Sequence, residues 1–150
     1  MTEPAVVPGP IEIFERMRQQ WLRNSVDFGE DLAEDVVIEM PFAPPGSTRR
    51  YEGRERFLAF AAPGRAAFVQ QFTIEEVRSV AIHETTDPEV IVFEYELAGT
   101  INATGRHAAS SFIAVLRARD GKVVHWREYQ NLPAMAAAMA GAQAPIPDEE

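Results

Sequence analysis

Reactive side chains are few in this chain, and most lie in its second half. There is no cysteine, which removes thiol nucleophiles, disulfides and thiolate metal sites. The three histidines, His83, His107 and His125, fall in different segments without metal-ligand spacing. No glycine-rich phosphate loop, nucleophile elbow or zinc-helix motif occurs. These features predict neither metal nor cofactor and leave carboxylate chemistry. Glu94, Glu96 and Glu128 sit in runs that alternate apolar and polar residues. A carboxylate among apolar walls loses hydration, which favours its protonated form and lets it exchange a proton near neutral pH. Glu128 is the candidate for that work. Its alternative is a structural carboxylate paired with Arg127 or with an arginine of the N-terminal helix. Arg49, Arg50 and Arg54 could hold an anionic ligand; the alternative is surface charge.

The strands that must position these groups follow from turn chemistry. Asp120-Gly121 between two alternating runs is a strong hairpin signal. Taken as a two-residue turn, it pairs Arg119 with Lys122, Val115 with Trp126, Ile113 with Glu128 and Ser111 with Gln130. The loop Asn102–Gly105 then sets Glu94 beside Ile113 and Glu96 beside Ser111. One face should carry Val92, Glu94, Glu96, Ser111, Ile113, Val115, Trp126, Glu128 and Gln130. The opposite face should carry Phe93, Tyr95, Leu97, Phe112, Ala114, Leu116, His125, Arg127 and Tyr129. A one-residue slip would exchange these sets. In this register Glu128 acts in a pocket whose wall is Trp21, Met40, Phe42, Glu94, Ser111, Ile113, Trp126 and Gln130. The second face is too apolar to stay wet if the helices take the first, so it predicts a homodimer.

Upstream, Ile13, Phe14, Met17, Trp21 and Leu22 fall on one helical stripe and predict a helix over Ile11–Val26, with a short second helix near Glu30–Glu34. Val36, Ile38 and Met40 predict a strand that Pro41 ends. Gly53 opens a helix with Phe57, Leu58 and Phe60 that Pro63-Gly64 should stop. Four antiparallel strands follow over 68–83, 90–101, 108–119 and 122–130, then a helix over 133–140. This order predicts an α+β domain with the helices on one face of the sheet. Residues 1–10 read as a flexible arm, 11–140 as the domain and 141–150 as a disordered acidic tail. At 150 residues the chain suits one domain with its own core. Its net charge of −9 makes nucleic acid and anionic membranes poor partners. The first ten residues lack the basic and apolar runs of a signal peptide, so a cytoplasmic location is expected.

Four stretches resemble a known family: "EDVVIEMPFAPPG" (34–46), "YEGRERFLAFA" (51–61), "GTINATGRH" (99–107) and "LRARDGKVVHWREYQN" (116–131). They look like SnoaL-like proteins of the nuclear transport factor 2-like superfamily, and the WREYQN ending is similar to the phenazine biosynthesis A/B-type branch. The resemblance implies a cystatin-like cone: a curved antiparallel sheet wrapped on N-terminal helices, with a pocket inside and homodimers through the back of the sheet. It implies that Glu128 serves as the pocket acid. Steroid isomerases of the superfamily place an aspartate base before a proline at the end of the first strand, where this chain has Met40 before Pro41. That departure opposes a ketosteroid isomerase mechanism. The His/Asp pair of the polyketide cyclases is also unmatched, since the last strand holds Glu128 with Asn131 beyond it. The expected function is cofactor-free acid–base chemistry (isomerisation, cyclisation, condensation or hydration) on a small hydrophobic cyclic metabolite. The alternative is a non-catalytic binding or scaffold domain of the same fold.

Overall fold

The structure, a computed structural model, describes residues 6–143, without the side chains of 139 and 141–143. Of the expected arm, 1–10, residues 1–5 lie outside that range and Pro10 opens α1; of the expected tail, 141–150, residues 144–150 lie outside it, while 141–143 continue α3 rather than being disordered. The order is α1 (Pro10–Trp21), β1 (Leu32–Glu39), β2 (Arg50–Glu52), α2 (Arg54–Gln71), β3 (Phe72–Glu84), β4 (Val90–Ile101), β5 (His107–Arg119), β6 (Lys122–Gln130) and α3 (Leu132–Gln143). The strands form one sheet ordered β2-β1-β6-β5-β4-β3. Every neighbouring pair is antiparallel except β1 with β6, which run parallel. This is the α+β architecture expected, a curved open sheet with its helices on one side. None of the described helices is long and apolar enough to cross a membrane.

Several elements depart from the sequence reading for identifiable reasons. Helix α1 begins at Pro10, where the missing N–H has no helical partner to lose. It stops at Trp21 rather than Val26 because Asn24 takes a positive φ of 53°. The Asn24 amide donates to the Ile74 carbonyl at 3.0 Å and accepts from the Ile74 N–H at 2.7 Å, tying the helix end to β3. The helix expected near Glu30–Glu34 is absent. Leu32 and Val36 are buried in β1, and the Val123 N–H bonds the Asp31 carbonyl, so the segment joins the sheet. Helix α2 runs through Pro63-Gly64 to Gln71. Ala59, Ala62, Pro63 and Gly64 are exposed, so water can serve the carbonyl that the proline leaves unbonded. The three-residue strand β2 was not anticipated.

The hairpin at Asp120-Gly121 forms as read, with φ of 53° and 76° at its two central residues, as a type I′ turn requires. Its register then breaks. Ala118 pairs with Val123 but Arg117 pairs with His125, leaving Val124 as an extra residue. This β-bulge moves the rest of β6 by one position. Trp126 pairs with Leu116 and Glu128 with Ala114, not with Val115 and Ile113. The β4–β5 register is as expected, with Glu94 opposite Ile113 and Glu96 opposite Ser111.

The bulge therefore exchanges the two residue sets of β6 between faces. Trp126, Glu128 and Gln130 join Phe93, Tyr95, Leu97, Phe112, Ala114 and Leu116 on the helix side. His125, Arg127 and Tyr129 join Glu94, Glu96, Ser111 and Ile113 on the back. The predicted dimer surface is corrected by the same geometry. Phe93 and Leu116 are fully buried and Tyr95 and Phe112 nearly so, in the chain's own core against α1. Phe14 packs on Phe93 with ring centroids 4.2 Å apart, and Trp21 stacks on Tyr95 at 5.2 Å.

Candidate functional site

Between the helices and the sheet lies a cavity of about 350 Å³, within the range that holds a small-molecule ligand. Helical spacing explains its upper wall. Met17, Gln20 and Trp21 reach it from α1, and Phe57, Ala61, Arg65 and Phe68 from one stripe of α2. Strand alternation explains the floor: Ile38 continuing to Met40 along β1, Tyr95 and Leu97 of β4, Phe112 of β5, and Trp126, Glu128 and Gln130 of β6. Met135 of α3 closes one end.

Glu128 is the chemically distinct group on that floor. Its Oε1 accepts the Tyr95 hydroxyl at 2.8 Å and its Oε2 accepts the Gln130 amide Nε2 at 2.7 Å. Burial pushes its pKa above the usual glutamate value, against the opposing pull of the Gln130 and Tyr95 hydrogen bonds. Burial, with the neighbouring Glu128 charge and hydrogen bond, holds the Tyr95 phenol well above its ordinary value, so it stays a neutral donor. Among the described residues no cation lies within salt-bridge distance of Glu128. Arg127 turns to Glu39 at 3.5 Å, and Arg16 and Arg18 of α1 pair with Asp31 and Glu15. The carboxyl is thus oriented by neutral donors on both oxygens and desolvated by aromatic neighbours. That arrangement suits a group that changes charge during a reaction.

Of the residues expected around Glu128, the structure brings Trp21, Met40, Trp126 and Gln130 to the cavity. It does not bring Phe42, Glu94, Ser111 or Ile113. Glu94 is exposed on the back of the sheet, 2.8 Å from His83. Ser111 and Ile113 are exposed beside it, and the bulge sends their expected partners Gln130 and Glu128 to the other face. Phe42 lies beyond the end of β1, 64% exposed and edge-on to Tyr129. Glu96 is also on the back, bonded to Arg78. Arg50 pairs with Glu39 and Glu52, and Arg54 donates to the Leu32 carbonyl at 3.3 Å, so neither lines the cavity. Among the described residues no three His, Asp or Glu side chains converge as a metal-ligand set.

Two cavity residues that matter were missed. Tyr95 was assigned to the opposite face from Glu128, and only the bulge unites them. Arg65 lay beyond the expected end of α2. The spacing Phe57, Ala61, Arg65, Phe68 would have shown it, had the stripe been followed past the proline.

A family model described as the SnoaL-like domain matches residues 14–126, ending two residues before Glu128. An uncharacterized PhzA/B-like protein of Pseudomonas aeruginosa is 33% identical over 108 residues, which cover 72% of this chain and 73% of that one. Among solved structures, a candidate isomerase from Bacillus subtilis superposes with a TM-score of 0.74 at 24% identity, covering 87% of this chain and 92% of that one. An NTF2-like protein from Burkholderia thailandensis gives a TM-score of 0.60 at 18% identity, covering 88% and 98%.

Proposed function

The chain belongs to the SnoaL-like domain family, and on that premise we propose that it is an enzyme working without a cofactor, by acid–base chemistry on a small hydrophobic cyclic metabolite. Glu128 is the proton-transfer group. One observation carries this reading: the desolvated Glu128 carboxyl on the cavity floor, fixed by Tyr95 and Gln130 and free of any ion pair among the described residues. As a carboxylate it takes a proton from a carbon beside a carbonyl. As the acid it returns that proton to another carbon or to oxygen. Isomerisation, cyclisation and condensation share the first step. Trp21, Trp126 and Met40 shape the space around the ring.

That shared step gives a test that needs no knowledge of the natural substrate. A panel of cyclic ketones is incubated with the protein in D2O, and deuterium uptake beside the carbonyl is followed by mass spectrometry. Catalysed exchange is expected, falling about 10²- to 10⁴-fold in Glu128→Gln, which keeps shape and removes the transferable proton. Exchange unchanged in that variant overturns the assignment. Met40 favours a second reading, a non-catalytic binding domain, because it puts a thioether in the cavity where the steroid isomerases of the superfamily place their base. Ligand binding without exchange across the panel would select it. We also propose that two copies associate through the back of the sheet. The contact would be formed by Val92, Ile113, Val115 and Tyr129 rather than by the buried aromatics first assigned to it.

A further inference from the structure

Arg65 is out of place by composition. It occupies the α2 stripe whose other members, Phe57, Ala61 and Phe68, give the cavity apolar or small surfaces. A guanidinium at such a position normally has a carboxylate partner, because desolvating an unpaired charge is unfavourable. The chain has 23 acidic residues against 14 basic ones, yet among the described residues none lies within salt-bridge distance of Arg65. Among the described residues its one hydrogen bond runs from Nε to the Ser25 carbonyl at 3.0 Å. That bond anchors the side chain and leaves both Nη groups available. Partial burial lowers its pKa from the usual arginine value, but a guanidinium keeps its charge at neutral pH. Two further carboxylates line the cavity. Asp31 accepts from Arg16 at 3.1 Å, and the exposed Asp27 forms no ion pair with Arg65. Glu128, the remaining acid, projects from the sheet floor rather than from the helical wall.

We propose that Arg65 is the anion-binding residue of this cavity, and that its ligand is an apolar ring bearing one carboxylate, held with that group at Arg65 and its reacting carbon toward Glu128. The inference rests on the cavity being a small-molecule site and adds the substrate's charge and orientation. The forked guanidinium accepts a carboxylate through two parallel hydrogen bonds. An ionised Glu128 repels the same carboxylate, so the two groups together exclude the reversed pose. The aromatic and aliphatic side chains that line the same cavity take the ring.

The test uses the full chain and two probes of equal shape, 4-tert-butylcyclohexanecarboxylate and its primary amide. Trp21 and Trp126 are the only tryptophans, and both line the cavity, so intrinsic fluorescence reports on this site. At pH 7.5 the carboxylate should bind about 10- to 100-fold more tightly than the amide. Arg65→Met should erase that preference, and Arg65→Lys should keep part of it. Added NaCl should weaken carboxylate binding and spare the amide, a measurement on the unmodified protein that stands if a variant fails to fold. Equal affinity for the two probes, or a preference that survives Arg65→Met, overturns the inference and leaves the binding cavity intact. No fluorescence change with either probe overturns both.

Discussion

The Tyr95–Glu128 hydrogen bond can be isolated by Tyr95→Phe, which removes one oxygen and keeps the ring stacked on Trp21 and Phe112. With Glu128 ionised, the lost bond is one to a charged acceptor, worth about 1.5–3 kcal/mol. With Glu128 protonated, it is a bond between neutral groups, worth about 0.5–1.5 kcal/mol. The difference, about 1–1.5 kcal/mol in favour of the protonated form, raises the Glu128 pKa further. The direction of the pH effect follows from linkage. Glu128 already has a folded-state pKa above its unfolded value. Its protonation therefore favours the folded state below the unfolded pKa, and that advantage is lost as pH rises through the folded pKa. Tyr95→Phe raises the folded pKa further and deepens the loss on the alkaline side. Urea denaturation should find the variant less stable than the parent by about 1.5–3 kcal/mol at pH 7.5, shrinking to about 0.5–1.5 kcal/mol at pH 4. Carboxyl infrared difference spectra, taken against Glu128→Gln, should show the titration moving alkaline. In the Glu128→Gln background the same tyrosine change should cost the same at both pH values. A pH-independent deficit in the parent background, or a titration moving acidic, refutes the coupling.

Two other predictions concern the sheet. Deleting Val124 removes the bulge and leaves Val123 and Trp126 two apart, so strict alternation from the Asp120-Gly121 turn keeps Trp126 and Glu128 inward with every observed pair intact. Trp126, now 7% accessible, should stay buried in this variant, read as an unshifted tryptophan emission and a melting temperature within a few degrees of the parent; a red-shifted emission with a collapsed melting temperature contradicts Val124 as the extra residue. On the back of the sheet, Ile113 is 43% exposed. Ile113→Lys should convert a dimer to a monomer in light scattering while preserving the circular dichroism spectrum. A monomeric parent protein at micromolar concentration, or a variant that still dimerises, refutes that contact.

What the sequence reveals and what it hides divide along the range of the interactions involved. The Asp120-Gly121 hairpin and the limits of β4 and β6 are local consequences of turn chemistry and alternation, and all are legible. The bulge is not, because Val123-Val124-His125 contains no glycine or proline to announce it. The extra residue answers a long-range demand. Val123 must enter the core beside Ala118 while its backbone meets Asp31, and Trp126 must enter the same core against Leu116. Two inward residues three apart cannot both be satisfied by a strand of period two, so the strand takes up one residue between them. The functional consequence is larger than a single position. Strict alternation would have placed the Glu128 carboxyl beside Ile113 on the back of the sheet, facing solvent or a partner and without Tyr95. With the bulge it meets a phenol and an amide in a cavity that two indoles also line. Glu128 could be singled out by residue type, and its resemblance to a family acid pointed the same way. Its environment, which is what raises its pKa, was created by pairing between strands that no local pattern encodes. Arg65 was hidden differently. The helix that presents it runs through a proline whose disruption is tolerated on an exposed surface, so a local stop signal concealed the basic group on the cavity's helical wall.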